Sequence, residues 1–90
     1  MIFISYSWKD VVFTRSIVTC LSKRGYLIWI DYQNLRLDKS LALQITLAVW
    51  NADIFLLIDS PNSRLSRWVR FEMLLAKLFR KQVQIVNVPA

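Results

Sequence analysis

Four short runs of apolar, β-branched and aromatic residues recur along the chain, separated by longer stretches with helical periodicity. The runs are IFISY at 2–6, YLIWI at 26–30, IFLLI at 54–58 and VQIVNV at 83–88. Runs with so little polar alternation are typical of strands that are buried on both faces, as in a parallel sheet. Strands that alternate with helices predict right-handed βαβ crossovers, and therefore an α/β fold with helices on both faces of the sheet.

The first of the intervening stretches carries clear helix signals. Ser7, followed by Asp10 three residues later, predicts a capping box at the start of the helix. Gly25, the only glycine, suits the left-handed position just beyond the end of that helix. The predicted apolar face of the helix consists of Phe13, Ile17, Cys20 and Leu21. We therefore expect Cys20 to pack in the core.

The later stretches predict two more helices. A polar stretch at 31–40 leads to a helix of about 12 residues over 41–52 that is apolar around most of its circumference. The loop DSPNSRLS at 59–66 follows the third strand, and Ser66 is placed to cap a helix that runs to about Lys81.

Length and composition narrow the class of protein. Ninety residues predict a single domain, 1–90. The apolar share is 56%, but no uninterrupted apolar run approaches the roughly 18 residues of a membrane span. We expect no secretory signal at the start, and the lone Cys20 cannot form an internal disulfide, so a cytoplasmic protein is predicted. With no histidine and one cysteine, we expect no metal site.

The charge balance is basic. Twelve Lys and Arg residues against six acidic residues give a net charge of +6. The positive residues are scattered and form no long basic tail, so we expect most of them on solvated helix faces. We predict no specific nucleic-acid partner, and any nucleic-acid binding is expected to be weak and strongly salt-dependent.

The predicted sheet topology indicates that a ligand would bind at the edge formed by the carboxyl ends of the strands. Ligands of parallel α/β sheets bind at the carboxyl ends of the strands, near the point where the strand order reverses. Segments 5–9, 31–40 and 59–66 all follow strand ends, and the last leads into the helix that carries Glu72, the only glutamate in the chain. A carboxylate among apolar neighbours costs free energy. We predict that Glu72 opens toward a cleft at this edge, with the solvent face of the helix as the alternative.

These stretches together resemble a bacterial-type TIR (Toll/interleukin-1 receptor) domain. The resemblance rests on FISYSWKD at 3–10, GYLIWIDYQNL at 25–35, the stretch from SLALQITLAVWNADIFLL to SRWVRFE at 40–72, and VQIVNV at 83–88. It implies a flavodoxin-like sheet and one of two functions. The first is hydrolysis of NAD at the nicotinamide–ribose bond, with NAD as substrate and no bound cofactor. The second is homotypic assembly with other TIR domains as a non-catalytic signalling module.

Two features depart from the family pattern. The loop after the second strand usually carries Pro-Gly-Asp-Ser, and the loss of its glycine here changes the backbone conformations open to the loop. The resemblance implies an interaction loop that consists of Leu35, Arg36, Leu37, Asp38, Lys39 and Ser40. The family also continues through a fifth strand, so we expect a C-terminally short domain with strand order 2-1-3-4 and an open edge at the fourth strand.

A single carboxylate is sufficient for the cleavage of NAD. Nicotinamide leaves from an already cationic pyridinium, so no general acid is required, and one carboxylate beside an oxocarbenium-like ribose can suffice. Matched to the family motif, Glu72 takes the place of the catalytic glutamate. Trp68 precedes it by four residues on the same helical face. By resemblance Trp68 is a wall that positions the ribose and nicotinamide, with core packing as the alternative.

Three further residues are candidate substrate contacts by resemblance. Trp29 corresponds to an aromatic that stacks on the nicotinamide cation, with core packing as the alternative. Ser7 and Trp8 follow the first strand, where relatives supply a polar or basic contact to the dinucleotide. For Ser7, a helix cap is the favoured interpretation.

The remaining polar residues at this edge are weaker candidates. Asp31 and Asp59 end strands, where turn-forming aspartates are common. Ser60 and Ser63 are expected to shape the loop. The leading prediction is an NAD glycohydrolase that is active on self-association, because the open strand edge and the apolar helix over 41–52 both invite pairing with another chain.

Overall fold

The computed structural model describes residues 1–89 and has a parallel sheet at its centre. Its strands are β1 (Ile2–Ser5), β2 (Ile28–Trp29), β3 (Ile54–Asp59) and β4 (Gln82–Asn87), in the order β2-β1-β3-β4. This order confirms the predicted flavodoxin-like arrangement. Ala90, the last residue of the predicted domain range, lies outside the described residues.

Helices connect the strands. They are α1 (Val11–Lys23), α2 (Asp31–Asn34), α3 (Leu41–Asn51), α4 (Pro61–Leu65) and α5 (Arg67–Leu78), with a 3₁₀ turn at Trp8–Asp10 before α1. α1, α3 and α5 lie where the sequence predicted them, whereas α2 and α4 occupy segments predicted as loops. Each of these two is little more than one turn, too short to show helical periodicity. Within residues 1–89, every helix falls short of the length and apolar character that a bilayer crossing demands.

An apolar core lies on each face of the sheet. On one face Phe3 and Phe55 stack at 5.4 Å between ring centroids and pack against α3 and α5. On the other face Ile4 and Ile58 pack with Val18 of α1. Helices therefore cover both faces, as predicted, and the sheet is fixed between two cores.

The strands at the two ends of the sheet are less buried than the sequence predicted. The second strand was predicted over 26–30, but Tyr26 and Leu27 are exposed and β2 keeps only two residues. β4 alternates between exposed and half-buried residues, and Ile85 is exposed. A strand with a neighbour on one side only is also covered less completely on its faces, which explains the difference.

The capping residues were predicted in part. Ser40 and Ser66 accept hydrogen bonds from the backbone N–H groups three residues on, at 3.3 Å each, and so cap α3 and α5. Ser7 caps the 3₁₀ turn by accepting from the N–H of Lys9 at 3.3 Å. The reciprocal half of the predicted capping box is wrong, because the Asp10 carboxylate accepts hydrogen bonds from residues of the β3–α4 segment instead.

The prediction that Cys20 packs in the core is also wrong. Thr14 and Val18 are the buried residues of α1, and Cys20 is exposed. Cys20 follows Val18 by two residues, about 200° around the helix, and therefore points away from the sheet. Gly25 has the predicted left-handed conformation, with φ of 86°.

Candidate active site

A cavity of about 320 Å³ lies at the carboxyl ends of β1 and β2. Its apolar lining comes from Ile4 in β1, from Leu35 and Leu37 after α2, and from Leu41 and Ile45 in α3. The strand order reverses between β1 and β3, so the cavity lies beside the topological switch point, where ligands of such sheets bind.

Glu72 reaches this cavity from α5. Its side chain is 8% exposed, and the hydroxyl of the fully buried Ser5 donates a hydrogen bond to its Oε1 at 2.7 Å. The alternative position on the solvent face of the helix is wrong. Glu72 is also more deeply buried than a carboxylate at a cleft surface would be.

Burial changes the ionisation of Glu72. Removal from water raises its pKa from 4.5 to about 8, and the negative charge of Asp31 adds to the rise, while the Ser5 hydrogen bond opposes it. The carboxyl group is therefore mainly protonated at neutral pH.

Asp31 lies at the same cavity and is held in place by three donors. The Tyr6 hydroxyl and the backbone N–H of Tyr32 donate to its Oδ1, each at 2.7 Å, and the indole N–H of Trp8 donates to Oδ2 at 2.8 Å. Burial and the bond to Asp31 both raise the pKa of Tyr6, so the phenol stays protonated and remains a donor. The sequence indicated Asp31 as a weaker candidate at this edge, with a turn role as the alternative. In the structure Asp31, in α2, is bonded to Tyr6 directly after β1 and to Trp8 in the 3₁₀ turn.

Two exposed tryptophans flank the cavity. Trp8 is 74% exposed and Trp68 is 49% exposed, and both line the cavity together with Ser66. Trp68 meets Phe71 edge-on at 5.9 Å between ring centroids. The core-packing alternative for Trp68 is therefore wrong, and both indoles are available to stack on an aromatic ligand.

Trp29 and Ser7 lie away from the cavity lining that the described residues form. The ring of Trp29 stacks on Phe3 at 5.0 Å with an interplanar angle of 7°, which matches the core-packing alternative. Ser7 is a helix cap. The structure does not bring either residue to the cavity with Glu72.

The predicted interaction loop, residues 35–40, borders the cavity through Leu35 and Leu37. Gln44 of α3 holds its backbone: the Arg36 N–H donates to Gln44 Oε1 at 2.8 Å, and Gln44 Nε2 donates to the Arg36 carbonyl at 2.6 Å. A side chain of the following helix thus fixes a loop that lacks the family's glycine. The other predicted loop residues, Asp38, Lys39 and Ser40, are exposed.

The third segment predicted at this edge, 59–66, contributes only Ser66 to the cavity. Asp59 instead forms an ion pair with Arg64 at 2.8 Å, which lowers the pKa of Asp59, and both residues line a separate cavity of about 310 Å³. Ser60 and Ser63 form a reciprocal capping box at the start of α4, as loop-shaping residues should. In the part of the chain that the structure describes, His, Cys, Asp and Glu side chains form no group of three that could hold a metal ion.

Sequence reasoning missed Ser5, Tyr6 and Gln44. Ser5 carried a usable signal, because a hydroxyl inside an otherwise apolar buried strand needs a partner. Tyr6 and Gln44 carried none, since their roles depend on partners 25 and 8 residues away.

Three comparisons with known proteins show what this chain is similar to. The family model for the TIR domain matches residues 2–89. NAD(+) hydrolase TcpC of Escherichia coli O6:H1 (strain CFT073) is 33% identical over 72 residues, which cover 79% of this chain and 24% of TcpC. The chain thus matches about a quarter of that relative's length.

A solved structure shares the fold. The crystal structure of the TIR domain of the Toll-related receptor TRR-2 from Hydra magnipapillata superposes with a TM-score of 0.89, covering 99% of this chain and 71% of that chain. The sequence identity is 15%, so this likeness concerns the fold alone.

Proposed function

The chain belongs to the TIR-domain family, and on that premise we propose that it hydrolyses NAD at the nicotinamide–ribose bond. The observation that carries the proposal is the position of Glu72, a buried carboxyl group at a cavity flanked by two exposed indoles. The relative named NAD(+) hydrolase TcpC supports it.

The cavity suits the nicotinamide–ribose end of NAD. The indoles of Trp8 and Trp68 offer flat faces to a planar ring, and a pyridinium cation gains from contact with such faces. Glu72 then lies on the side where the ribose carbon develops positive charge. We propose no substrate contact for Trp29 or Ser7, because neither is among the residues that line this cavity.

In the proposed reaction the bond between the ribose C1′ and the ring nitrogen breaks, and its electron pair moves to that nitrogen. Nicotinamide leaves as a neutral molecule and needs no proton. The positive charge that remains is shared between C1′ and the ribose ring oxygen, where the Glu72 carboxylate stabilises it. Water then adds to C1′ and releases a proton.

The ionisation state of Glu72 links the binding of the pyridinium ring to the cleavage reaction. Burial raises the pKa of Glu72 to about 8, so the group is mainly neutral before a cation binds. A cationic ring nearby favours the charged form of the acid. Glu72 therefore loses its proton as the pyridinium binds, and the carboxylate forms when it is needed.

The test is release of free nicotinamide from NAD by the purified protein. Glu72→Gln keeps the shape and one acceptor oxygen for Ser5, so we expect a folded protein whose turnover falls roughly 1,000-fold. Asp59→Asn is the matched control, since it makes the same chemical change outside the cavity, and its turnover should stay near wild type. Most of the wild-type turnover in Glu72→Gln would contradict the catalytic assignment.

A second candidate function, association with other TIR domains, is favoured by a separate observation. Leu43, Leu47 and Trp50 follow one another at helical spacing along α3, and each is more than half exposed. Apolar surfaces of this kind mark sites of protein association. The two functions are compatible, since association can also raise the rate of NAD cleavage.

Sedimentation and concentration-dependent kinetics test this second function. We expect self-association at micromolar concentration, with NAD cleavage that rises faster than linearly with protein concentration. Leu47→Gln should weaken both effects, whereas Leu65→Gln changes an exposed leucine of α4 and should not. A monomer whose activity is proportional to concentration would exclude association.

A further inference from the structure

The charge of the cavity is opposite to the charge of the chain. The protein carries 12 Lys and Arg residues and a net charge of +6. Within residues 1–89, none of these cations lines the cavity, and its ionisable carboxyl groups are Glu72 and Asp31. A ligand that enters therefore meets two acidic groups and no cation in the described cavity lining, while Arg15 lies outside that lining, over the ring of Tyr32.

Asp31 is built into this position rather than left free at the surface. It is half-buried, and its three donors come from Tyr6, Trp8 and the backbone of Tyr32. These donors are neutral, so they orient the carboxylate without cancelling its charge. The field of Asp31 reaches the far side of the site, where it contributes to the raised pKa of Glu72.

We propose that Asp31 is the specificity-determining residue that makes this cavity prefer a permanently cationic aromatic ring to a neutral ring of the same shape. The inference deepens the proposed function and rests on it for the identity of the ring as a pyridinium. Trp8 and Trp68 contribute stacking to either ring, since both rings have an aromatic face. Only the charge of Asp31 distinguishes them before Glu72 ionises.

The experiment compares two unreactive probes: 1-methylnicotinamide, which is a cation because its ring nitrogen is methylated, and nicotinamide, which is neutral. Their dissociation constants are measured by tryptophan fluorescence with the full chain. We expect the cation to bind at least about tenfold tighter, and Asp31→Asn to reduce that ratio at least about fivefold. A ratio that Asp31→Asn leaves unchanged overturns the proposal.

Trp8→Phe distinguishes the effect of the charge of Asp31 from the effect of its orientation. The substitution removes the indole N–H that donates to Asp31 and keeps the carboxylate. It should weaken both probes while preserving their ratio. A collapse of the ratio in Trp8→Phe would show that the geometry of the site, and not the charge of Asp31, sets the preference.

Leu37→Lys tests the same charge without touching the hydrogen bonds of Asp31, in case Asp31→Asn does not fold. Leu37 lines the cavity and is 85% exposed. A cation there should lower the ratio relative to the neutral control Leu37→Gln, and equal ratios in these two variants overturn the proposal. Neither probe is hydrolysed, so a wild-type protein that cleaves NAD but binds the two probes equally contradicts this inference alone. A wild-type protein that prefers the cation but does not cleave NAD contradicts only the proposed function.

Discussion

Asp10 and Glu72 are buried to the same degree, at 9% and 8% exposure, yet their surroundings differ. The carboxylate of Asp10 accepts from the hydroxyl of Ser60 and from Asn62 Nδ2, the latter at 3.1 Å, so each of its oxygens has a donor. Among residues 1–89, Glu72 receives a hydrogen bond from Ser5 alone and faces a cavity.

The difference separates an acid whose two oxygens both have donors from the acid that we propose as catalytic. Asp10 ties the start of α1 to the segment between β3 and α4, and its hydrogen bonds offset the cost of burial. Glu72 is buried with less compensation, which is the kind of local conflict that proteins retain at functional sites. The contrast predicts that loss of Asp10 affects stability and loss of Glu72 affects chemistry.

The largest expected effect is on turnover. Glu72→Gln should lower the kcat for NAD cleavage roughly 1,000-fold, equivalent to about 4 kcal/mol of transition-state stabilisation. Its thermal midpoint at pH 7 should not fall below that of the wild type, because glutamine replaces a mainly neutral carboxyl group in the folded state and, unlike glutamate, does not ionise in the unfolded state. Asp10→Asn, measured on the folded fraction, should change kcat less than about threefold, since Asp10 lies outside the cavity. Equal losses of kcat in the two variants would contradict the different roles assigned to Asp10 and Glu72.

The next effect is on stability as a function of pH. Because the pKa of Glu72 rises from 4.5 to about 8 on folding, the folded state binds more protons than the unfolded state between these values. Stability from this group is complete below pH 4.5 and declines up to pH 8, by at most about 1.4 kcal/mol per pH unit. From pH 5 to 8, the wild type should lose roughly 3 kcal/mol relative to Glu72→Gln in urea unfolding. If the free energies of unfolding of the two proteins change in parallel with pH, the raised pKa of Glu72 is refuted.

A smaller effect is expected at Asp10. Asp10→Ala leaves the hydroxyl of Ser60 and the amide of Asn62 without their acceptor, and should lower the free energy of unfolding by about 2 kcal/mol. Urea unfolding at pH 6 measures it. If the variant is as stable as the wild type, the Asp10 network does not have the structural role assigned to it.

The smallest effect is expected at Asp59, a third acid at the same edge. Its partner Arg64 is 68% exposed, so solvent screens the ion pair. Asp59→Asn should lower the free energy of unfolding by clearly less than Asp10→Ala does. A larger loss would mean that surface pairing stabilises this edge as strongly as the buried hydrogen bonds of Asp10.

The strand runs predicted the fold well because the pattern that identifies a buried parallel strand is local. Tyr26 and Leu27 were misassigned because the position of β2 at the edge of the sheet depends on the whole topology. Glu72 was singled out as the only glutamate, and the roles predicted for Glu72 and Trp68 came from resemblance to a family motif in which the two residues lie four positions apart. The hydrogen bond of Ser5 to Glu72 spans 67 residues, and the stacking of Trp29 on Phe3 depends on strand pairing. Neither contact leaves a local pattern.

The most direct test of the contrast is a carboxyl titration of Glu72 by NMR. Glu72 is the only glutamate in the chain, so protein labelled with ¹³C at the glutamate side-chain carboxyl gives one resonance from this group. We predict a titration midpoint at about 8 in the free protein, which falls when the cation 1-methylnicotinamide binds. A midpoint near the ordinary value of 4.5, unchanged by the cation, would contradict the central claim. That claim is that Glu72 is buried with too few hydrogen bonds to offset the cost of burying its charge.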